Sequence, residues 1–90
     1  MLRPRVTGAF KKDRRRAERR SQDVHKLDVV MRRLANEDQL EPRFRDHKLG
    51  GDWKGFREWH VGPDRLLIYL VRAAEITFVR TGTHSDLFEE

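Results

Sequence analysis

No cysteine occurs in the 90 residues, which removes disulfides, thiolate nucleophiles and cysteine zinc sites together and suits a reducing cytoplasm. Long hydrophobic runs are missing as well. The longest, LLIYLV at residues 66–71, is far short of the ~20 apolar residues that span a bilayer. The amino end, MLRPRVTGAFKKDRRR, is charged but holds no apolar stretch of the kind a secretory leader carries. Apolar residues are 37% of the chain and charged residues 39%, so the core is thin. A chain of this length buries roughly 60 to 65% of its unfolded surface and has no room for a second core. Residues 1–90 are therefore expected to form a single domain.

What the chain has in excess is positive charge, unevenly placed. Residues 1–34 hold 12 Lys and Arg against 4 Asp and Glu, a balance of +8, whereas residues 35–90 hold 8 against 11, a balance of −3. The densest block, KKDRRRAERR at residues 11–20, has seven bases in ten residues. Such a block is either a solvated helix face or an electrostatic footprint for nucleic acid. Membrane binding fits less well, because Phe10 and Ala17 alone offer an apolar side and an interfacial helix needs a broad one.

Residues 2–6 read as a short edge strand that tolerates Pro4. Thr7 reads as the cap of a helix reaching about Arg20, and Ser21 as the cap of a second helix in which Val24, Leu27, Met31 and Leu34 recur at helical spacing. His25 lies within that second helix, outside any motif, and reads as a surface residue. After Pro42 the pattern changes to strands, with three runs at 53–60, 65–71 and 75–81 rich in aromatic and β-branched residues. VGPDR makes a tight turn, with Pro63 supplying the fixed φ of a type I turn, and RAAE makes a second. Connections this short join antiparallel neighbours. The expected fold is α+β: two N-terminal helices packed on a small, mainly antiparallel meander, with the run at 65–71 as the central strand.

Tracing that meander shows which ends meet. His60 closes the first strand, Asp64 and Arg65 open the second, and Arg80 ends the third, with the segment TGTHSDLF following it. His60, Asp64, Arg80 and His84 thus converge on one rim. Arg80 shares the alternation of Ile76 and Phe78, so a regular strand would place it on an apolar face; either the strand bulges there or an anion holds the arginine. Two imidazoles, which titrate near pH 6.5, can serve as general acid and base near neutrality. Arginine offers a permanent charge for phosphate oxygens. RNA brings its own nucleophile, the 2′-OH, so proton transfer and charge stabilisation suffice. No spacing of His and carboxylates matches a known metal-ligand motif, and no metal or cofactor is expected.

RDHKLGGDWKGFREWHVGPDRLLIYLV, followed by VRTGTHSDLF, resembles the YafQ-type toxins of the RelE/ParE superfamily, which are ribosome-dependent endoribonucleases of toxin–antitoxin pairs. The likeness is close over residues 45–88 and rests on three blocks in order: the Asp-His with its Gly-x-Trp-x-Gly-Phe-Arg, the His-x-x-Pro-Asp with Leu-Leu-Ile-Tyr, and Arg-Thr-Gly-Thr-His-x-x-Leu-Phe. It implies a RelE-like fold, mRNA cleavage in the ribosomal A site, and a cognate antitoxin bound in a hetero-oligomer. It further implies that His47, His60, Asp64 and His84 share acid and base roles, that Arg80 steadies the scissile phosphate, and that Phe88 contacts substrate or closes the site. His47 is placed by the resemblance alone. Two positions depart from the family pattern: Lys48 replaces a proline beside His47, and Arg65 replaces a tryptophan after Pro-Asp, exchanging a stacking surface for a possible phosphate ligand. Two other classes compete with this reading. A gyrase inhibitor on the same scaffold needs no histidine cluster, and a plain nucleic-acid-binding module needs only the basic block.

Overall fold

Thr7 links the helical part of the chain to the sheet. The computed structural model describes residues 1–37, the backbone of 47–48, and residues 53–88. Its elements are β1 (Arg3–Val6), α1 (Gly8–Arg19), α2 (Val24–Ala35), β2 (His47–Lys48), β3 (Arg57–Gly62), β4 (Arg65–Arg72), β5 (Glu75–Gly82) and α3 (His84–Phe88). The sheet order is β1-β5-β4-β3-β2. β1 runs parallel to β5, and every other pair is antiparallel. The two helices, the meander and its central strand agree with the sequence reading.

α1 begins where β1 leaves the sheet. β1 pairs with β5 only from Arg3 opposite Glu75 to Val6 opposite Phe78. Thr7 then takes over the edge: its N–H donates to the Phe78 carbonyl at 3.1 Å and its hydroxyl donates to the Val79 carbonyl at 2.7 Å. The same hydroxyl oxygen accepts from the Phe10 N–H at 3.0 Å, so one residue caps α1 and extends the edge of β5.

The end of α1 corrects the expected second cap. Ser21 adopts φ 57° as the residue just past the helix, with its N–H on the Glu18 carbonyl and the Gln22 N–H on the Ala17 carbonyl, both at 3.0 Å. That is a Schellman closure of α1. Asp23 caps α2 instead, accepting from the Lys26 N–H at 3.0 Å.

The first meander strand is also shorter at its start and longer at its end than the sequence predicts. Trp53 to Phe56 form a turn, closed by the Phe56 N–H on the Trp53 carbonyl at 3.0 Å. Gly55 has φ 93°, a conformation side chains resist, so the strand starts only at Arg57.

β4 is buried on both faces from Leu66 to Tyr69. On one face Leu67 and Tyr69 join Trp59, Val61, Ile76 and Phe78 beneath Phe10 and Leu27 of the two helices. On the other, Leu66 and Ile68 form a smaller cluster with Leu87 of α3, against which Trp53, Phe56, Val79 and Phe88 pack. The first cluster holds the molecule together, and the second seats the short C-terminal helix. Burying apolar surface contributes roughly 25 cal/mol per Å², so α3, with five residues and little intrinsic stability, depends on Leu87 for its place. Among the described residues no helix is long and apolar enough to cross a membrane.

Candidate active site

Alternation along β3 sends Trp59 and Val61 toward the helices and therefore turns Glu58 and His60 to the opposite face. In register across the sheet, His60 pairs with Leu66 and Leu66 with Gly82. The tight turn carrying Asp64 joins β3 to β4, and α3 starts two residues past Gly82. One end of the sheet thus gathers residues from three strands and a helix.

His84 opens α3, and Thr83 stands before it in a reciprocal cap. The Thr83 N–H donates to Asp86 Oδ2 at 3.1 Å, and the Asp86 N–H donates to Thr83 Oγ1 at 3.1 Å, satisfying two amides that a helix start leaves open. Asp64 Oδ1 lies 2.7 Å from His84 Nδ1 and accepts the His84 backbone N–H at 3.2 Å. The His84 ring stands edge-on to His60, with centroids 6.3 Å apart. Phe88, one turn further along α3, lies 6.2 Å from His84 and 6.3 Å from Trp53. His60 Nε2 in turn approaches Glu58 Oε1 at 3.3 Å. The side chains of His60 and His84 are 37% and 41% exposed, so both can be reached from solution.

The electrostatics fix a tautomer. The hydrogen bonds from the His84 ring and backbone hold the Asp64 carboxyl below its ordinary range. An ionised carboxylate only accepts, so His84 Nδ1 carries the proton and neutral His84 has its lone pair on Nε2. This His–carboxylate arrangement suits proton transfer at Nε2. His60 and Glu58 form a second His–carboxylate pair beside it, made through the other ring nitrogen, Nε2.

Arg80 meets both alternatives that its spacing raised, a bulge and an anion. The β4–β5 register shifts so that Ile68 pairs with Arg80 and Tyr69 with Phe78, leaving Val79 as the extra residue of a bulge. The arginine is also held by an anion, but one from this chain. Its Nε lies 2.6 Å from Asp13 Oδ2 and its Nη2 3.1 Å from Asp13 Oδ1. The hydrogen bond to Asp13 raises the Arg80 pKa above its ordinary value.

Of the residues picked from the sequence, the structure brings together His60, Asp64, His84 and Phe88. It ties Arg80 to Asp13, and it directs Arg65 to the start of α2, where Nη2 donates to the Asp23 carbonyl at 3.0 Å. Arg65 alternates with Leu67 and Tyr69, which face the helices, so its side chain leaves on that side. His47 heads β2 opposite Glu58; its side chain lies outside the described residues. Two contributors were missed. Glu58 shares the alternation of His60 two residues away, and Asp13 falls between Phe10 and Ala17 at helical spacing, on the buried side of α1.

Comparison with known proteins identifies the family. Residues 2–89 match a family described as bacterial toxin of type II toxin–antitoxin system, YafQ. The mRNA interferase toxin YafQ of Escherichia coli K12 is 42% identical over 83 residues, covering 91% of this chain and 90% of that protein. YafQ in the crystal structure of the E. coli DinJ-YafQ complex superposes with a TM-score of 0.88 at 39% identity, covering 98% of this chain and 99% of the other. A copper-bound mutant toxin from Helicobacter pylori superposes with a TM-score of 0.89 at 40% identity, covering 98% and 100%.

Proposed function

The chain belongs to the YafQ family of type II toxin–antitoxin toxins, and on that premise we propose that it is an endoribonuclease that cleaves mRNA in the ribosomal A site. The observation that carries this reading is the His84 ring oriented by Asp64, edge-on to His60 at an open rim. In the proposed reaction the 2′-OH loses its proton as its oxygen bonds to the adjacent phosphorus. The bond to the 5′-oxygen breaks, that oxygen takes up a proton, and a 2′,3′-cyclic phosphate remains.

His84 transfers one of these protons at Nε2, and His60, backed by Glu58, stands close enough to serve the other. His47 shares the acid and base work, on the strength of the family likeness. Neither step calls for a metal ion. Arg80 stabilises charge on the phosphate, but with Nε and Nη2 on Asp13 it does so through Nη1 and a fixed charge rather than a two-pronged fork. Phe88 flanks His84 and offers an aromatic face on which a base can stack, a contact worth about 1 to 3 kcal/mol.

The basic block divides into two sets. Arg14 is paired with Glu18 and Asp28, Arg16 with Asp13, and Arg20 with Asp86. Lys11, Lys12, Arg15 and Arg19 are exposed, and their spacing puts them along one outward stripe of α1. This stripe docks ribosomal RNA. Residues 1–90 act as one cytoplasmic toxin domain, and a cognate antitoxin neutralises it, as the E. coli complex of YafQ with DinJ suggests by analogy.

The test is cleavage of a defined mRNA programmed into ribosomes, with mapping of the 3′ ends. Cuts within the A-site codon that vanish with His84→Ala, and with a single 2′-deoxy nucleotide at the cut, are expected. Equal cleavage of ribosome-free RNA would remove ribosome dependence, and cutting at the deoxy position would remove the 2′-OH mechanism. Slowing by a phosphorothioate at the cut that Cd²⁺ relieves would refute the absence of a catalytic metal.

A further inference from the structure

Among the described residues, Asp13 is the one charged side chain that is buried, at 4% exposure. Burying a carboxylate is costly unless it is fully paired, and here four donors meet it. Arg80 supplies two (2.6 and 3.1 Å), Arg16 Nη2 one at 3.0 Å, and the Thr81 N–H one at 3.1 Å. That last amide belongs to the edge of β5 beyond the reach of β1, so the carboxylate completes the edge where strand pairing has stopped.

The pairing continues toward the reaction site. Arg16 Nη2 also lies 3.7 Å from Asp86 Oδ2, and Arg20 Nη1 lies 2.9 Å from the same oxygen. Asp86 closes the cap on Thr83, the residue before His84. Gly82 leaves room for this node: a Cβ there would meet Asp86 Cβ at 3.0 Å, Asp86 Oδ2 at 3.1 Å and Arg16 Nη2 at 3.3 Å. The ladder Arg80–Asp13–Arg16–Asp86–Arg20 therefore runs from the buried edge of β5 to the first turn of α3. A five-residue helix cannot fix its own orientation, and this one carries His84.

We propose that Asp13 is a positioning residue for RNA cleavage, acting through Arg16 and Asp86 to fix the first turn of α3 and with it the His84 ring against Asp64. The inference rests on the reading that His84 moves a proton, and it adds a residue from α1 that touches neither substrate nor His84. A ring displaced by about 1 Å loses its line to the reacting oxygen, which costs up to about a hundredfold in rate.

The experiment compares Asp13→Asn, Asp86→Asn and His84→Ala in the programmed-ribosome assay, with kcat and KM measured separately and thermal melting on each. Asp13→Asn is expected to lower kcat by about tenfold to a hundredfold with KM changed less than about twofold, and to weaken the ¹⁵N signature of the Nδ1-protonated His84 ring in NMR. Asp86→Asn tests the far end of the ladder at a mostly buried side chain, and unchanged kcat and His84 signal there overturn the inference even if Asp13→Asn does not fold. Asp86→Asn is expected to lower kcat and disturb the His84 signal in the same way. Adding Asp86→Asn to His84→Ala should cost nothing further, because the positioned group is already gone, whereas Asp13→Asn also releases Arg80 and is not read in that background. A folded Asp13→Asn or Asp86→Asn with unchanged kcat and an unchanged His84 signal would overturn the inference, as would a rise in KM at constant kcat. Full activity in His84→Ala would instead overturn the underlying catalytic reading, so the two failures are distinguishable.

Discussion

Asp64 holds His84 twice with one oxygen: Oδ1 accepts the backbone N–H at 3.2 Å and the ring Nδ1–H at 2.7 Å. One contact places the start of α3, and the other sets the tautomer. Replacing the carboxylate by an amide removes the charge and allows an N–H to face the ring nitrogen. Asp64→Asn is therefore expected to lower kcat by about 10² to 10⁴, the range of a displaced general acid or base. Asp64 is exposed, so melting should hardly move. Single-turnover cleavage alongside thermal melting tests this, and a large loss of stability would show that the pair is structural.

Asp86 ties acid stability to the same helix. Burial pushes its carboxyl up, but the Thr83 N–H, Arg20, the Thr83 hydroxyl and the Arg16 charge together hold it below its ordinary value. A folded-state pKa below the unfolded one means that the unfolded chain binds the proton more readily. The contribution is then complete above the unfolded value near pH 3.9 and is lost as pH falls through the lower folded value. The Asp64 carboxyl is shifted in the same direction, but it is exposed and solvent screening makes its share small. Urea melts from pH 7 to pH 2.5 should show a steep acid limb in the parent chain and a shallower one in Asp86→Asn. Parallel limbs would mean that Asp86 carries no such linkage.

The parts of the fold written in local patterns were legible from sequence. Thr7 before a basic helix, the Pro63–Asp64 turn and the double-sided apolar run of β4 each needed only neighbouring residues, and tracing two tight turns sufficed to bring His60, Asp64 and His84 to one rim. What escaped depended on partners far along the chain. Ser21 and Asp23 are both acceptable caps, and only the Schellman closure of α1 decides between them. Arg80 announced either a bulge or an anion, and the structure has both, with the anion 67 residues away. Asp13 was hidden among seven bases because charge counting treats the two acids of that block, Asp13 and Glu18, alike, whereas its spacing with Phe10 and Ala17 marks Asp13 as inward-facing.

The division of the basic block separates binding from stability. Substituting Lys11, Lys12, Arg15 and Arg19 together by alanine should weaken ribosome binding and flatten its dependence on salt, by ~0.7 to 0.9 in the log–log slope for each phosphate that is no longer neutralised. Melting should stay within about 1 kcal/mol, because these side chains hold nothing in place. Arg14→Ala should do the reverse, since Arg14 joins Glu18 of α1 to Asp28 of α2 at 2.7 Å each. It should lower stability by roughly 0.5 to 1 kcal/mol for these half-exposed pairs and leave the salt slope nearly unchanged. Equal slopes in the parent and the fourfold variant would move the docking surface elsewhere.

Leu87 and Phe88 are adjacent, yet the structure gives them different work. Leu87 is 8% exposed and packs with Leu66 and Ile68, so Leu87→Ala should cost about 2 to 5 kcal/mol. That is a large share of the stability of a small domain, about 5 to 15 kcal/mol, and α3 should come loose with it. Phe88 is half-buried, edge-on to Trp53 and tilted toward His84, which lets it clamp the helix and still present a face to RNA. Phe88→Leu keeps an apolar clamp on Trp53 while removing the aromatic face. If Phe88 stacks on a base, Phe88→Leu should raise KM by roughly fivefold or more, in line with a stacking contact of about 1 to 3 kcal/mol, with melting little changed. If it serves only as a clamp, Phe88→Leu should keep nearly full activity while Phe88→Ala loses activity and stability together. Measuring both substitutions decides between a residue that touches the message and one that only holds His84 in place.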